Sequence, residues 1–266
     1  MRAQSDPVSV IIPTYNRAHT LVAAIQSALA QTTPPLEVLV CDDGSTDATR
    51  EVVAAIGDER VQFLACGRNG RPAIVRNRGI AESRGTWLAF LDSDDAWLPE
   101  KLTTQLALVR TLRCLASCTN ATRLVPGLGM AGTLVAFEQP RLTFERLLRS
   151  NLVVCSSAMF HRSLLRHVGG FPEQPSVVAA EDYALWLKIA TRTDFAFVST
   201  PQVVYTDSPA ASIRGVDPAA EQTRARAVFD DFLRWAPRLS RSALALRWER
   251  VRRTRDAYKA RWFLPR

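Results

Sequence analysis

The sequence predicts an α/β protein with a mostly parallel central sheet flanked by helices, followed by a helical extension at the carboxyl end. Apolar, β-branched runs of strand length alternate with segments whose apolar residues fall at helical spacing. The acidic turns come directly after the apolar runs, at the carboxyl ends of parallel strands, where such sheets bind ligands. The 266 residues are enough for one large domain with a short appendage.

The first hundred residues carry four rounds of this alternation. The proline at position 72 suits the first turn of a helix, and Asp47 is a predicted N-cap. The predicted strands are Ser9–Pro13, Glu37–Cys41, Val61–Cys66 and Trp87–Leu91, and the predicted helices are Leu21–Leu29, Val52–Ile56, Pro72–Ser83 and a long one that Pro99 begins.

The second half of the chain is less regular. Between Asn120 and Pro140 three glycines lie close together, and we expect a loop with a short strand there. A short helix is predicted after Thr143, and a longer one begins at about Glu181, with Trp186 in the core.

The net charge of +8 is concentrated at the carboxyl end. Residues 221–266 hold 13 basic and 5 acidic residues, which leaves 21 of each before them. No basic strip interleaved with aromatic residues precedes that tail, so we expect no nucleic-acid partner. No apolar run is long enough to span a bilayer, and the five cysteines lack paired metal-ligand spacing; a cytoplasmic protein with reduced thiols is the expectation.

The sequence "DSDD" from Asp92 to Asp95 is the sharpest chemical signal. Two carboxylates separated by one residue, at the exit of a buried strand, can share a hard divalent cation whose other ligands are phosphate oxygens and water. The alternative is an N-cap and turn before Pro99. The motif by itself leaves both interpretations open.

Four motifs occur in order: "VSVIIPTYNRA", "VCDDGSTD", "RNRGIAESRGTWLAFLDSDDAWLPEKL" and "AEDYALWLK". Together they resemble the family 2 glycosyltransferases of the GT-A fold, strongly over residues 8–102, moderately over 147–191, and not after about residue 215. The resemblance implies a GT-A domain over residues 1–215, with a donor half at about 8–118 and an acceptor half at about 119–215. Residues 216–266 would form the basic helical extension.

The resemblance also implies an activity. An enzyme of this family would transfer a sugar, with inversion, from a nucleotide-diphosphate donor to a hydroxyl acceptor with the help of Mn²⁺ or Mg²⁺. A UDP- or dTDP-linked donor and a role in surface-polysaccharide or glycolipid assembly are the expectation.

Donor-binding roles follow from the matched motifs. Asp42 would accept the imide N–H of a uracil-type base, and Asp43 would support that loop, although a simple turn before Gly44 explains Asp43 almost equally well. The residues that would line the nucleoside pocket are Pro13, Thr14 and Tyr15.

The diphosphate and metal would lie near the acidic turn. Arg76 would meet the ribose or the diphosphate, since a guanidinium matches phosphate geometry; the alternative is a surface arginine. Asp92, with the adjacent Ser93, would contact the ribose, or the metal through solvent. Asp94 would be the direct metal ligand.

The acceptor side depends on "AEDYALWLK". Asp182 matches the family's general base, which takes the proton of the acceptor hydroxyl, and Glu181 would orient the acceptor or a loop. The alternative is two acids favourably placed in the first turn of a helix. Many relatives have a basic segment after the last strand, and here Arg214 is the candidate for contacting the diphosphate.

Two other classes of protein compete with the enzyme. A non-catalytic nucleotide-sugar-binding protein would have no need of Asp182. A sugar nucleotidyltransferase would carry a glycine-rich phosphate loop after the first strand, where this chain reads "PTYNRA".

The basic tail contains an apolar helical stripe and, further on, aromatic residues among many arginines. Such a segment can lie on an anionic membrane and bring the enzyme to a lipid-linked acceptor; alternatively, its helices pack on the catalytic domain or on a second subunit. The stripe is Phe229, Phe232, Leu233 and Ala236, and the later aromatic residues are Trp248, Tyr258, Trp262 and Phe263.

Overall fold

The computed structural model describes residues 6–208 and 218–236. The strands are β1 (Val8–Thr14), β2 (Glu37–Asp42), β3 (Val61–Ala65), β4 (Trp87–Phe90), β5 (Ala96–Trp97), β6 (Ala116–Val125), β7 (Gly129–Thr133), β8 (Arg141–Leu142), β9 (Met159–His161) and β10 (Phe195–Thr206). The helices are α1 (Ala18–Leu29), α2 (Thr49–Ala54), α3 (Pro72–Glu82), α4 (Lys101–Leu112), α5 (Phe144–Arg149), α6 (Leu165–Val168), α7 (Glu181–Ala190) and α8 (Pro218–Trp235).

Within the described ranges the strands form one sheet in the order β3-β2-β1-β4-β9-β6-β10-β5, with β7 and β8 attached at its side. The first four strands in this order pair in parallel, as predicted. The short strand β9 pairs antiparallel with both β4 and β6. Because β9 runs antiparallel to both of its neighbours, β4 and β6 run in the same direction, and their carboxyl ends lie at the same edge of the sheet.

Helices cover both faces of the sheet. Successive side chains of a strand point to opposite faces, and both faces are apolar here, so each face is buried by helices. In β1, Val10 and Ile12 join the core beneath α1 and α4, while Ile11 joins the core beneath α3 and α7. Trp186 is fully buried in the second of these cores, with its ring 5.9 Å from that of Phe171. Its predicted core position is confirmed.

The glycine-rich segment after Asn120 is more ordered than we expected. β6 continues to Val125 and turns into β7, so most of the segment is a β-hairpin. Its three glycines all adopt positive φ, at 80°, 86° and 79°, which gives the turn and the irregular register of the hairpin. The Asn120 side chain exchanges hydrogen bonds with the backbone of Val135 and fixes the returning chain. The glycines that indicated a loop instead form this hairpin.

The tail begins with a helix that packs against the rest of the protein. In α8, Phe229 and Phe232 are buried, and the Phe232 ring lies 5.6 Å from that of Phe144. Lys188 of α7 and Asp231 of α8 form a buried ion pair at 2.8 Å. The suggestion that the stripe of α8 rests on a bilayer is therefore wrong, because these side chains already belong to the core.

Several sequence predictions fall on other parts of the tail. Arg214 and the four aromatic residues after position 247 lie outside the described residues. In the described ranges, no helix combines the length and the apolar character needed to cross a membrane.

Candidate active site

The acidic turn follows β4 at the carboxyl edge of the sheet. Asp95 points inward, where it accepts hydrogen bonds from the Ser156 hydroxyl and from the Thr206 backbone N–H. Ser156 also accepts the backbone N–H of Asp92 at 3.0 Å. These bonds fix the turn and leave the side chains of Asp92 and Asp94 about one-third exposed, at 30% and 33%.

Negative charge is concentrated in this turn. Burial and the charge of Asp92 together raise the pKa of Asp94, while Arg17, whose Nη2 lies 4.0 Å from Asp94 Oδ2, opposes the rise. Burial and Asp92 also raise the pKa of Asp95 well above its ordinary value. A bound cation would relieve this repulsion.

Arg76 connects the two halves of the site. Its Nη2 donates to Asp92 Oδ1 at 2.6 Å, and its Nη1 donates to Glu181 Oε1 at 2.8 Å. Burial opposes its charge, but Cys155, Asp92 and Glu181 together hold the pKa of Arg76 well above its usual value. The surface-arginine alternative is wrong, and contact of Arg76 with ribose or diphosphate stays a prediction.

The predicted acceptor-side acids begin α7. Glu181 and Asp182 are both buried, and Asp182 Oδ1 accepts the Tyr183 N–H at 2.7 Å. The Tyr183 hydroxyl donates to the Leu147 carbonyl and anchors this end of the helix. Glu181 Oε2 is buried without a hydrogen-bond partner among the described residues. An unsatisfied buried carboxylate oxygen indicates a ligand hydroxyl or water at this point.

The predicted nucleoside pocket is at the end of β1. Thr14 is buried, with a hydroxyl that has no hydrogen-bond partner in the described part of the chain. Tyr15 is 39% exposed, and the Arg68 guanidinium lies 3.9 Å from the centre of its ring. Pro13 is half-buried and precedes Thr14 in β1, and Tyr15 directly follows the strand. A flat, exposed aromatic ring at this edge is suited to stacking on a base.

Asp42 and Asp43 face different partners. Asp42 accepts the N–H groups of Gly44 and Ser45 and closes its own turn. Asp43 reaches the loop after β3, where it accepts the N–H groups of Asn69 and Gly70 and pairs with Arg68. Recognition of a uracil-type base by Asp42 stays a prediction.

Some residues of the site escaped the sequence analysis. Arg17 lies in "PTYNRA", where only the residues before it were singled out. Arg68 lies in "GRNGR", where two glycines and two arginines in five residues are the local signal that the sequence offered. Ser156 had no local signal, because its two contacts with the acidic turn join residues more than 60 positions apart.

The fold and the site together define a glycosyltransferase domain of the GT-A type. The chain belongs to glycosyl transferase family 2, whose family model matches residues 9–169.

Similar proteins fit this assignment. The UDP-Glc:alpha-D-GlcNAc-diphosphoundecaprenol beta-1,3-glucosyltransferase WfgD of Escherichia coli is 35% identical over 182 residues, 68% of this chain and 69% of WfgD. The crystal structure of S. aureus TarS in complex with UDP-GlcNAc superimposes with a TM-score of 0.72 and 21% identity, over 91% of this chain and 70% of that one. The mannosyltransferase PcManGT of Pyrobaculum calidifontis, in complex with GDP-Man and Mn²⁺, gives 0.57 and 22% identity over 97% and 81%.

Proposed function

We propose that this glycosyltransferase moves a sugar from a UDP- or dTDP-linked donor to a hydroxyl acceptor, with inversion and with a divalent cation. The observation that carries the proposal is the Arg76 fork, which binds one carboxylate of the acidic turn and one carboxylate of α7. It brings the expected diphosphate position next to the expected base, as direct transfer between two bound substrates requires.

The donor would lie along the carboxyl ends of β1, β2 and β4. Tyr15 offers a ring for the base, and the unpartnered Thr14 hydroxyl offers a hydrogen bond. A UDP-sugar is supported by the TarS complex and by the donor in the name of WfgD.

The acidic turn fits a divalent cation. In the parts of the chain that the structure describes, no group of three or more His, Cys, Asp and Glu side chains is arranged around a metal position. Mg²⁺ in phosphate-transfer sites is held by one or two carboxylates together with substrate phosphates and water, and the partly exposed pair Asp92 and Asp94 matches that mode. A bound Mn²⁺ or Mg²⁺ would stabilise negative charge on the leaving diphosphate.

Asp182 would act as the base in a single displacement. It takes the proton of the acceptor hydroxyl, the acceptor oxygen attacks the anomeric carbon, and the bond to the diphosphate oxygen breaks on the opposite face. Glu181, held by Arg76, would position the acceptor through its unpartnered oxygen. One attack from the opposite face inverts the anomeric centre.

We propose that the acceptor is a lipid-linked sugar. WfgD acts on a sugar linked to diphosphoundecaprenol, and the same chemistry here would serve surface-polysaccharide assembly at the cytoplasmic face of a membrane. Membership in a transferase family disfavours a non-catalytic binding protein and a nucleotidyltransferase.

The test compares two variants with a matched control. Asp182→Asn should keep Mn²⁺-dependent UDP binding and lower turnover about a hundredfold or more, the range for losing a positioned base. Asp94→Asn should instead lose Mn²⁺-dependent UDP binding. The control Asp194→Asn, at the opposite edge of the sheet, should change neither turnover nor Mn²⁺-dependent UDP binding. Donor affinity that collapses in Asp182→Asn, or persists unchanged in Asp94→Asn, would overturn these roles.

A further inference from the structure

The hairpin of β6 and β7 exposes apolar side chains to solvent. Leu128 is 84% exposed at its turn, and Met130 is 61% exposed in β7, whose residues are exposed throughout. Leu134, just past β7, is 37% exposed. The twelve residues 126–137 include no charged side chain. Leu134 lies at the base of the hairpin, where its N–H donates to the Ala121 carbonyl, whereas Leu128 and Met130 lie at the tip. Neighbouring exposed apolar side chains mark a surface that contacts something less polar than water.

The hairpin projects from the catalytic edge. Across β9, Phe160 pairs with both Leu88 of β4 and Ala116 of β6, so Asp92 is level with Asn120. β6 continues five residues beyond that level, which is about 16 Å at 3.3 Å per residue. The apolar tip therefore stands out past the acidic turn, beyond the edge of the sheet at which the proposed donor site lies.

We propose that this tip, which carries Leu128 and Met130, dips into the boundary between headgroups and hydrocarbon of a lipid bilayer. The proposal rests on the proposed function, because a lipid-linked acceptor presents its sugar at the bilayer surface. A tip anchored in the membrane turns the catalytic edge toward that surface.

A bilayer fits this tip better than a protein partner does. A specific protein interface buries about 800 Å² on each side, and two large apolar side chains at the tip of a narrow hairpin are too few to supply that area. The free edge of β7 is also poorly suited to pairing with another strand, because its glycines at positions 129 and 132 adopt positive φ and interrupt a regular edge. A bilayer requires neither shape complementarity nor strand pairing, and the uncharged tip loses no charge hydration on entering.

Vesicle sedimentation of the full chain tests the proposal. Leu128→Asp combined with Met130→Asp is compared with Leu36→Asp, a leucine that is 40% exposed at the opposite edge of the sheet, before β2. Neutral phosphatidylcholine vesicles at high salt suppress attraction by the basic tail. Wild type and Leu36→Asp should sediment with the vesicles, and the double variant should bind roughly tenfold more weakly or worse.

Equal sedimentation of all three proteins, or sedimentation of none, overturns the proposal. If the aspartates unfold the hairpin, Leu128→Gln with Met130→Gln should show the same direction of change. Activity separates this idea from the proposed function: the double variant should keep its turnover with a water-soluble hydroxyl acceptor and lose it with an acceptor embedded in vesicles. Should wild type transfer sugar to neither acceptor, the proposed function fails while sedimentation still decides the role of the hairpin.

Discussion

Replacing Arg76 by methionine should destabilise the protein by a predictable amount. Arg76 is 5% exposed, and its guanidinium donates hydrogen bonds to two carboxylates, at 2.6 Å and 2.8 Å. Methionine fills much of the same volume but leaves both acids without their cation. Removing one partner of a buried ion pair typically costs about 3–5 kcal/mol, because the remaining charge is buried and uncompensated.

The exposure of the two acids decides where in that range the loss falls. The Glu181 side chain is only 7% exposed, whereas that of Asp92 is 30% exposed and can regain water. We therefore expect a loss near 3 kcal/mol, which lowers the midpoint of thermal unfolding by roughly 6–12 °C for a chain of this size.

Arg78→Met is the matched control. It lies on the same helix, 61% exposed, in a surface pair with Glu82, and such pairs contribute at most about 1 kcal/mol. Differential scanning fluorimetry of both variants measures the difference. If Arg76→Met unfolds within about 2 °C of Arg78→Met, the fork does not hold the two halves of the site together and our account of it is wrong.

Three further predictions concern charges around the site. Burial and Asp92 raise the pKa of Asp94, and a metal ligand must be deprotonated. Mn²⁺ affinity in the presence of UDP should therefore fall on acidification while the pH is still above about 4. Calorimetric affinities that stay constant down to that pH contradict this prediction. Arg17→Gln removes a cation 4.0 Å from Asp94. Mn²⁺ alone should then bind up to about fivefold more tightly, while UDP binds more weakly. Titrations in which both affinities change in the same direction refute this prediction. Asp231→Asn leaves Lys188 buried without its charged partner and should lower the free energy of unfolding by about 3 kcal/mol. The double variant Lys188→Met with Asp231→Leu should recover most of that loss, measured by thermal unfolding. A double variant that is no more stable than Asp231→Asn argues against this prediction.

The sequence predicted the amino-terminal half of the fold well because its signals there are local. A buried strand such as Glu37–Asp42 is read from a run of adjacent apolar residues, and the acids that follow it lie at the carboxyl edge by the geometry of parallel sheets. The acidic turn, its position after β4 and the start of α7 at Glu181 needed no long-range information.

Contacts between distant segments were beyond the reach of the sequence. Nothing near Arg76 indicates that Glu181, 105 residues later, will accept one of its hydrogen bonds. Ser156 supports the acidic turn from a 3₁₀ turn at Cys155–Ser157 that has no pattern of its own. A residue's type and spacing predict what it can bind, whereas its actual partner depends on tertiary packing.

The prediction that the apolar stripe of α8 rests on a membrane was wrong for a related reason. The surplus of basic residues after position 220 is a property of the whole stretch, whereas burial is a property of one face of a helix. In α8 the face that carries Val228, Phe229 and Phe232 lies in the core, and Asp231 turns inward to meet Lys188. The same helix leaves Arg226 and Arg234 exposed on other faces, so a basic sequence and a buried helix are compatible. An apolar stripe within a basic segment thus predicts that the helix will pack against something, and only the structure identified that surface as the protein's own core.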